Sequence, residues 1–211
     1  MKVALDLEDV LVKNVRVFIE ELNKFVEENH SLENRFSASD IEGWKFKGLR
    51  EEFADLRGWN EDITNKFMYG DENGWRGFYP ITEEIWKNET GRISLRSEDI
   101  VEEVKRIREI VDGEIIIVTA RENVDSYVKE KIKELGLEDI VDGLVFKSKK
   151  DKLDFDMYID DYPKLYQKLD ERVQIMISQP WNEDENLERP NRRVENLKKA
   201  RKVIQDVGTK V

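Results

Sequence analysis

Residues 3–12 read VALDLEDVLV. Val3, Ala4 and Leu5 make an apolar run, and residues 2–7 are predicted as a short buried strand. The run then delivers Asp6, Glu8 and Asp9 within four positions before Val10, Leu11 and Val12 turn apolar again. Carboxylates that close repel one another. Either they are solvated loop residues, or something positive belongs among them.

Further along the chain the pattern alternates. Residues 113–120 (GEIIIVTA), 141–148 (VDGLVFKS), 156–161 (DMYIDD) and 173–178 (VQIMIS) read as strands. Residues 97–111 read as a helix capped by Ser97, and 122–137 as a helix closed by Gly136. A short helix is predicted at 163–169 and a final one at 193–205. Strands alternating with helices predict an α/β fold, a parallel sheet with helices on both faces.

The first strand is separated from the others by a long insert. Val15, Phe18, Ile19, Leu22, Phe25 and Val26 have helical spacing and share one apolar face. Residues 48–90 are helical fragments rich in aromatics and broken by glycines. The expected organisation is a core of residues 1–12 and 91–211 carrying an inserted helical cap, residues 13–90.

Composition narrows the function. Of 211 residues, 39% are charged, and the net charge of −11 argues against a nucleic-acid backbone as partner. The absence of cysteine excludes disulfides and thiolate metal sites. No apolar run reaches the roughly 18 residues of a membrane span. Asp6 interrupts the N-terminal apolar stretch, so no signal-peptide pattern forms, and a cytoplasmic location is expected. Oligomeric state is left open, a dimer included.

In an open parallel sheet the C-terminal strand ends meet at one edge, where ligands bind. Asp6, Thr119, Asp160 and Asp161 all fall at such ends, and Glu8 lies just beyond one. Four carboxylates gathered there need a cation. Oxygen donors, no cysteine and a lone His30 point to Mg²⁺. Lys147, Lys149, Lys150 and Lys152 precede the strand leading to Asp160 and could serve a phosphoryl group. Each feature has a plainer reading alone: acids after strands are commonly solvated, lysine clusters commonly form wet faces, and Thr favours strand ends. The joint order carries the information.

That order resembles the haloacid dehalogenase-like (HAD) hydrolase superfamily. The pieces that carry it are VALDLEDVLV, IIIVTAR (115–121), Lys150 and YIDD (158–161), over residues 1–12 and about 97–182. Three details resemble the 5'(3')-deoxyribonucleotidase group: TAR at 119–121, the ten-residue step from Lys150 to Asp160, and SQPWN at 178–182. The resemblance implies a Rossmann-like core and a Mg²⁺-dependent phosphomonoesterase acting on a small phosphorylated substrate such as a nucleoside monophosphate. Asp6 would be the nucleophile. The ion would be held by Asp6, the Glu8 carbonyl and Asp160, with Asp161 supporting. Thr119, beside Ala120, and Lys150 would bind phosphate.

One position departs from the family pattern. The acid expected two residues after the nucleophile is an Asp in the family and Glu8 here, and the adjoining small residue is Asp9, whose side chain is expected to point outward. Glu has nearly the same intrinsic acidity but one more methylene, and a displacement of about 1 Å can cost on the order of 100-fold in rate. Two alternatives follow. The chain is a phosphatase, or it is a catalytically weak or inactive protein that binds a phosphorylated ligand. Dehalogenation is a weaker third, because it has no use for an acidic cation site. In the cap, Trp44, Phe46 or Trp75 could stack a nucleobase, or could be the cap's own core.

Overall fold

The structure, a computed structural model, describes residues 1–14, 17, 41–42, 45–46, 83, 85–147, 149–162, 165–169, 172–179, 182, 187 and 191–208. Its strands are β1 (Lys2–Asp6), β2 (Ile41–Glu42), β3 (Lys45–Phe46), β4 (Glu114–Thr119), β5 (Gly143–Phe146), β6 (Met157–Asp160), β7 (Val173–Ile177) and β8 (Arg192–Val194). Its helices with described bounds are α1 (Ile100–Ile110), α2 (Asp125–Glu134) and α3 (Leu197–Gly208).

Six strands form one parallel sheet in the order β5-β4-β1-β6-β7-β8. The first strand in sequence therefore lies inside the sheet. From β4 to β5 the chain moves outward on one side of β1; from β6 to β8 it moves outward on the other. The reversal at β1 opens a crevice at the strand C-termini, where open α/β sheets bind ligands. In register, Asp6 stands beside Val118 of β4, and Leu5 beside Ile159 of β6.

Side chains alternate across the strands. Val3, Leu5, Ile115, Ile117, Met157, Ile159, Ile175 and Ile177 belong to the larger apolar core, with Val104 and Ile107 of α1 and Ala200 and Ile204 of α3. Ala4, Val118 and Tyr158, one residue out of phase, form a smaller core with Phe155, Leu165 and Leu169. Both faces being covered explains why the strands read as apolar runs instead of alternating with polar residues.

Helix ends follow their local chemistry. The α2 helix closes at Gly136, whose φ of 70° lies in the left-handed region. Its N–H donates to the Lys133 carbonyl (3.0 Å) and that of Leu137 to the Ile132 carbonyl (3.0 Å), the paired arrangement that a glycine makes inexpensive. At α1 the expected Ser97 cap is not formed. Asp99 is the N-cap residue, and the Ser97 hydroxyl donates to the Asp99 carboxylate, leaving the first amides uncapped by side chains. The helix expected from 193 begins instead at Leu197, because residues 192–194 pair with the edge of β7 and Asn196 accepts from the Lys199 amide (3.0 Å) as the cap. Of the segment expected as a helix at 163–169, the described residues 165–169 include a 3₁₀ turn at Tyr166–Lys168.

Residues 11–13 and 94–96 run side by side. Lys13 donates to the Ser94 carbonyl (2.9 Å) and Arg96 to that of Leu11 (2.9 Å). The expected helical face at 15–26 and the cap rings Trp44 and Trp75 lie outside the described residues, as does the Phe46 side chain. The described part of the insert includes an antiparallel pair, Ile41–Glu42 with Lys45–Phe46. Among the described residues no helix is long and apolar enough to cross a membrane.

Candidate active site

β1, β4 and β6 end together, and their last residues set the site. Asp6, Asp160 and Asp161 are buried, and one carboxylate oxygen from each lies within 4.8 Å of the others. The Lys150 ammonium sits 2.7 Å from Asp6 Oδ2 and 2.7 Å from Asp160 Oδ2. The Leu7 amide donates to Asp6 Oδ1 (2.8 Å) and the Tyr162 amide to Asp160 Oδ1 (2.8 Å), so each carboxylate is aimed by backbone as well as by lysine.

Burial and then the charge of Asp160 hold the Asp6 carboxyl well above the usual carboxylate range, although Lys150 pulls it down. Burial, then Asp6, Asp160 and Asp9, hold Asp161 well above that range too. Burial alone would depress the Lys150 ammonium; Asp160 and Asp6 outweigh it and hold it above its ordinary value. Despite that lysine, the carboxyls of Asp6 and Asp161 are held above their usual range, because burial and like-charged neighbours both oppose ionisation. Oxygen donors, close together and buried, with no nitrogen or sulfur among them, fit a hard cation such as Mg²⁺.

Among the lysines, Lys150 is the one that reaches the acids; Lys147 and Lys149 are exposed. A 3₁₀ turn, Lys150–Lys152, presents it. The Tyr158 hydroxyl donates to the Leu153 carbonyl (2.7 Å) and lies 3.1 Å from that of Lys150. The Arg172 guanidinium donates to the carbonyls of Asp151 (3.1 Å), Leu153 (2.8 Å) and Leu169 (2.9 Å). Nothing in sequence ties Arg172 to this turn, 19 positions from Leu153.

Glu8 does not join the aspartate cluster with its side chain. It turns toward β4, where the Thr119 hydroxyl donates to Glu8 Oε2 (2.9 Å) and Arg121 Nε donates to Glu8 Oε1 (2.8 Å). All three residues are buried. Arg121 belongs to the TAR stretch, but its role as the partner of Glu8 was not legible there. Ala120, next in line, is half-buried, and its carbonyl accepts from the Glu122 amide (3.0 Å).

Asp9 does not point outward as expected. It is buried with φ 56°, a left-handed conformation that Asp tolerates better than most residues. Its carboxylate accepts from the Asn14 amide (3.1 Å), and its carbonyl accepts from Arg96 and from the Gln179 side chain. Arg96 also donates to the Ser178 carbonyl (3.2 Å). Burial lowers the Arg96 guanidinium from its usual range, opposed by Asp9 and Asp161.

SQPWN contributes scaffolding. Asn182 donates to the carbonyls of Asp161 (2.9 Å) and Ile177 (2.9 Å) and accepts from the Gln179 amide (3.0 Å), tying the ends of β6 and β7. Arg193 donates to the Asn182 carbonyl, while Arg192 donates to that of Asn191 (2.8 Å).

A haloacid dehalogenase-like hydrolase of Streptococcus pneumoniae superposes with a TM-score of 0.60 at 13% identity, covering 94% of this chain and 95% of that one. The chain has the HAD-like fold. A HAD family hydrolase of Deinococcus radiodurans, whose structure holds phosphate and sodium, gives 0.61 at 12% identity over 98% of this chain and 96% of its own. A HAD-hydrolase of Bacillus subtilis bound to magnesium gives 0.51 at 11% identity over 96% and 97%. These likenesses show the fold and do not single out the deoxyribonucleotidase group. Neither a family model nor a curated protein sequence matches the chain.

Proposed function

We propose that the protein is a Mg²⁺-dependent phosphomonoester hydrolase that works through an aspartyl-phosphate on Asp6. The observation that carries this reading is the three-aspartate cluster bridged by Lys150 at the crevice of the sheet. Phosphate and metal bound in the solved structures of the same fold agree with it.

The steps assign work to this chain's own residues. Lys150 draws the phosphoryl group toward Asp6 and offsets its charge. An Asp6 carboxylate oxygen attacks phosphorus, the bond to the leaving oxygen breaks, and the leaving oxygen takes a proton, with Glu8 as the family-implied donor. Water then hydrolyses the acyl phosphate, restoring Asp6 and releasing inorganic phosphate. Asp6, Asp160 and Asp161, with the Glu8 carbonyl, would hold Mg²⁺, which when bound neutralises phosphate and nucleophile charge. Thr119 and Ala120 would line the phosphate site. We assign substrate selection to the 13–90 insert, and place a nucleoside monophosphate first in the panel because the TAR and Lys150-to-Asp160 spacing resemble the nucleotidase group.

The test is phosphate release from p-nitrophenyl phosphate and from a panel of sugar phosphates and nucleoside monophosphates, with Mg²⁺ and with EDTA. Turnover that needs Mg²⁺ and disappears in Asp6→Asn is expected. No turnover on any ester would remove the hydrolase reading.

A second reading has its own observation. With Thr119 and Arg121 both donating to Glu8, the chain suits a weak catalyst or a binder of phosphorylated ligands. Glu8→Asp discriminates: a silent wild type awakened by that change supports the binder, while an active wild type that gains little excludes it.

A further inference from the structure

The hydrogen bonds around Glu8 leave too few donors for the job assigned to Thr119. A threonine hydroxyl has one proton to give. Here that proton goes to Glu8 Oε2 at 2.9 Å. The Thr119 oxygen is already an acceptor for the Arg121 amide (3.3 Å), so the hydroxyl cannot turn to a second anion without releasing the first. Arg121 Nε is likewise committed to Glu8 Oε1 at 2.8 Å. A carboxylate held by a hydroxyl and a guanidinium is the arrangement in which a phosphoryl oxygen pair would be held. The Arg121–Glu8 contact spans 113 positions in sequence and is buried, with side-chain exposures of 7% for Arg121 and 9% for Glu8, so water does not weaken it much.

We infer that Glu8 is an internal anion that occupies the Thr119–Arg121 donor pair in the unliganded protein, and that a phosphoryl group must displace it to bind. The inference rests on the phosphohydrolase reading for the ligand class, an oxyanion of phosphate. The extra methylene of Glu8 is what gives it this reach. Occupancy is then a competition: the phosphoryl group gains the Thr119 hydroxyl and Arg121 Nε only as Glu8 swings off them, and the swing carries the Glu8 carboxylate away from β4. Glu8 thereby sets a threshold of affinity, favouring ligands whose remaining contacts compensate the lost Glu8 pairing.

Inorganic phosphate, titrated calorimetrically into the purified full chain with and without Mg²⁺, tests this without turnover. Glu8→Ala is expected to tighten phosphate binding by about tenfold, within the usual range for coupled neighbours. Loss of a negative charge alone would also tighten it, so the deciding measurement is a cycle with Thr119→Val. In the wild type, Thr119→Val is expected to change phosphate affinity less than about twofold, because it weakens competitor and ligand together. In the Glu8→Ala background it is expected to weaken binding about tenfold. Since Glu8→Ala leaves Arg121 buried beside a gap, Glu8→Gln, which keeps the packing, is run through the same cycle, and a thermal melt confirms folding. Equal effects of Thr119→Val in both backgrounds would overturn the competition while leaving the hydrolase reading intact. Equal phosphate affinity in wild type and Glu8→Ala would do the same. No phosphate binding by any variant, with no ester hydrolysis, would remove both.

Discussion

Lys150 and Asp160 are ten positions apart in sequence, and the lysine nitrogen lies 2.7 Å from Asp160 Oδ2. The same nitrogen is 2.7 Å from Asp6 Oδ2, so one ammonium bridges the ends of two neighbouring strands. Substituting Lys150→Met removes that bridge and leaves buried carboxylates facing each other. Breaking a buried pair from one side costs roughly 3–5 kcal/mol. Urea denaturation of Lys150→Met without metal is expected to show a loss of that order, partly recovered when Mg²⁺ is added. A variant as stable as wild type in EDTA would mean that the bridge contributes nothing to the fold.

Metal should act on stability directly. Asp6 and Asp161 are held above the usual carboxylate range by burial and by the neighbouring carboxylates, a cost that a bound cation would offset. A ligand bound only by the native state at about 100 times its Kd adds roughly 2.7 kcal/mol, which for a chain of this size corresponds to a Tm rise of about 5–10 °C. The sign with pH follows from the raised values. Protons compete with the metal for these oxygens, so the Mg²⁺-induced rise should shrink as pH falls from 8 to 5. Without metal the acid forms fit the buried site better, so the contribution of these two groups to stability is greatest below their unfolded values and is lost as pH rises through the folded ones. Melts at both pH values with Mg²⁺ and with EDTA read this; a shift that is equal at pH 5 and pH 8 would contradict it.

Strand identity was legible because burial on both faces writes itself as uninterrupted Val, Ile and Leu, as in EIIIVT. Asp6, Thr119 and Asp160 were legible because strand ends in a parallel sheet converge, and Lys150 stood out of its lysine cluster only through the ten-residue step to Asp160 that resembles the family. Partners fixed by three-dimensional reach were not. Arg121 and Glu8 are 113 positions apart, and no periodicity relates them. The β8 strand was missed because Arg192, Arg193 and Val194 carry no strand alternation; they are strand by virtue of the free edge of β7. Asp9 was misjudged because its side chain was compared with a small residue, whereas its backbone conformation is what the position demands.

That demand gives a stability prediction. With φ 56°, residue 9 favours Gly over any residue with a Cβ, by about 1 kcal/mol over Ala. Asp9 offsets part of its own cost by accepting the Asn14 amide. Asp9→Ala loses the acceptor and keeps the backbone cost, whereas Asp9→Gly loses the acceptor and relieves the backbone. Asp9→Gly is therefore expected to be more stable than Asp9→Ala by about 1 kcal/mol in urea midpoints. An Ala variant equal to the Gly variant would show that the left-handed conformation carries no cost here.

Arg172 offers the last test, of how Lys150 is aimed. Its guanidinium takes the carbonyls of Asp151, within the turn presenting Lys150, and of Leu153, which closes it, while the Tyr158 hydroxyl also donates to Leu153. The bonds of Arg172 and Tyr158 to the carbonyls of residues 150–153 give both a route to the site through the turn. Arg172→Met should let the turn drift, and a displacement of Lys150 by about 1 Å is expected to lower phosphate release on the order of 100-fold. If the effect passes through Lys150, it should vanish where Lys150 is already gone. Arg172→Met added to Lys150→Met is then expected to lower turnover little further, although both variants lose stability. Steady-state kcat on p-nitrophenyl phosphate for the two single variants and the double, each shown folded by circular dichroism, measures this. Full multiplication of the two losses in the double variant would show that Arg172 acts on the site by some route other than Lys150.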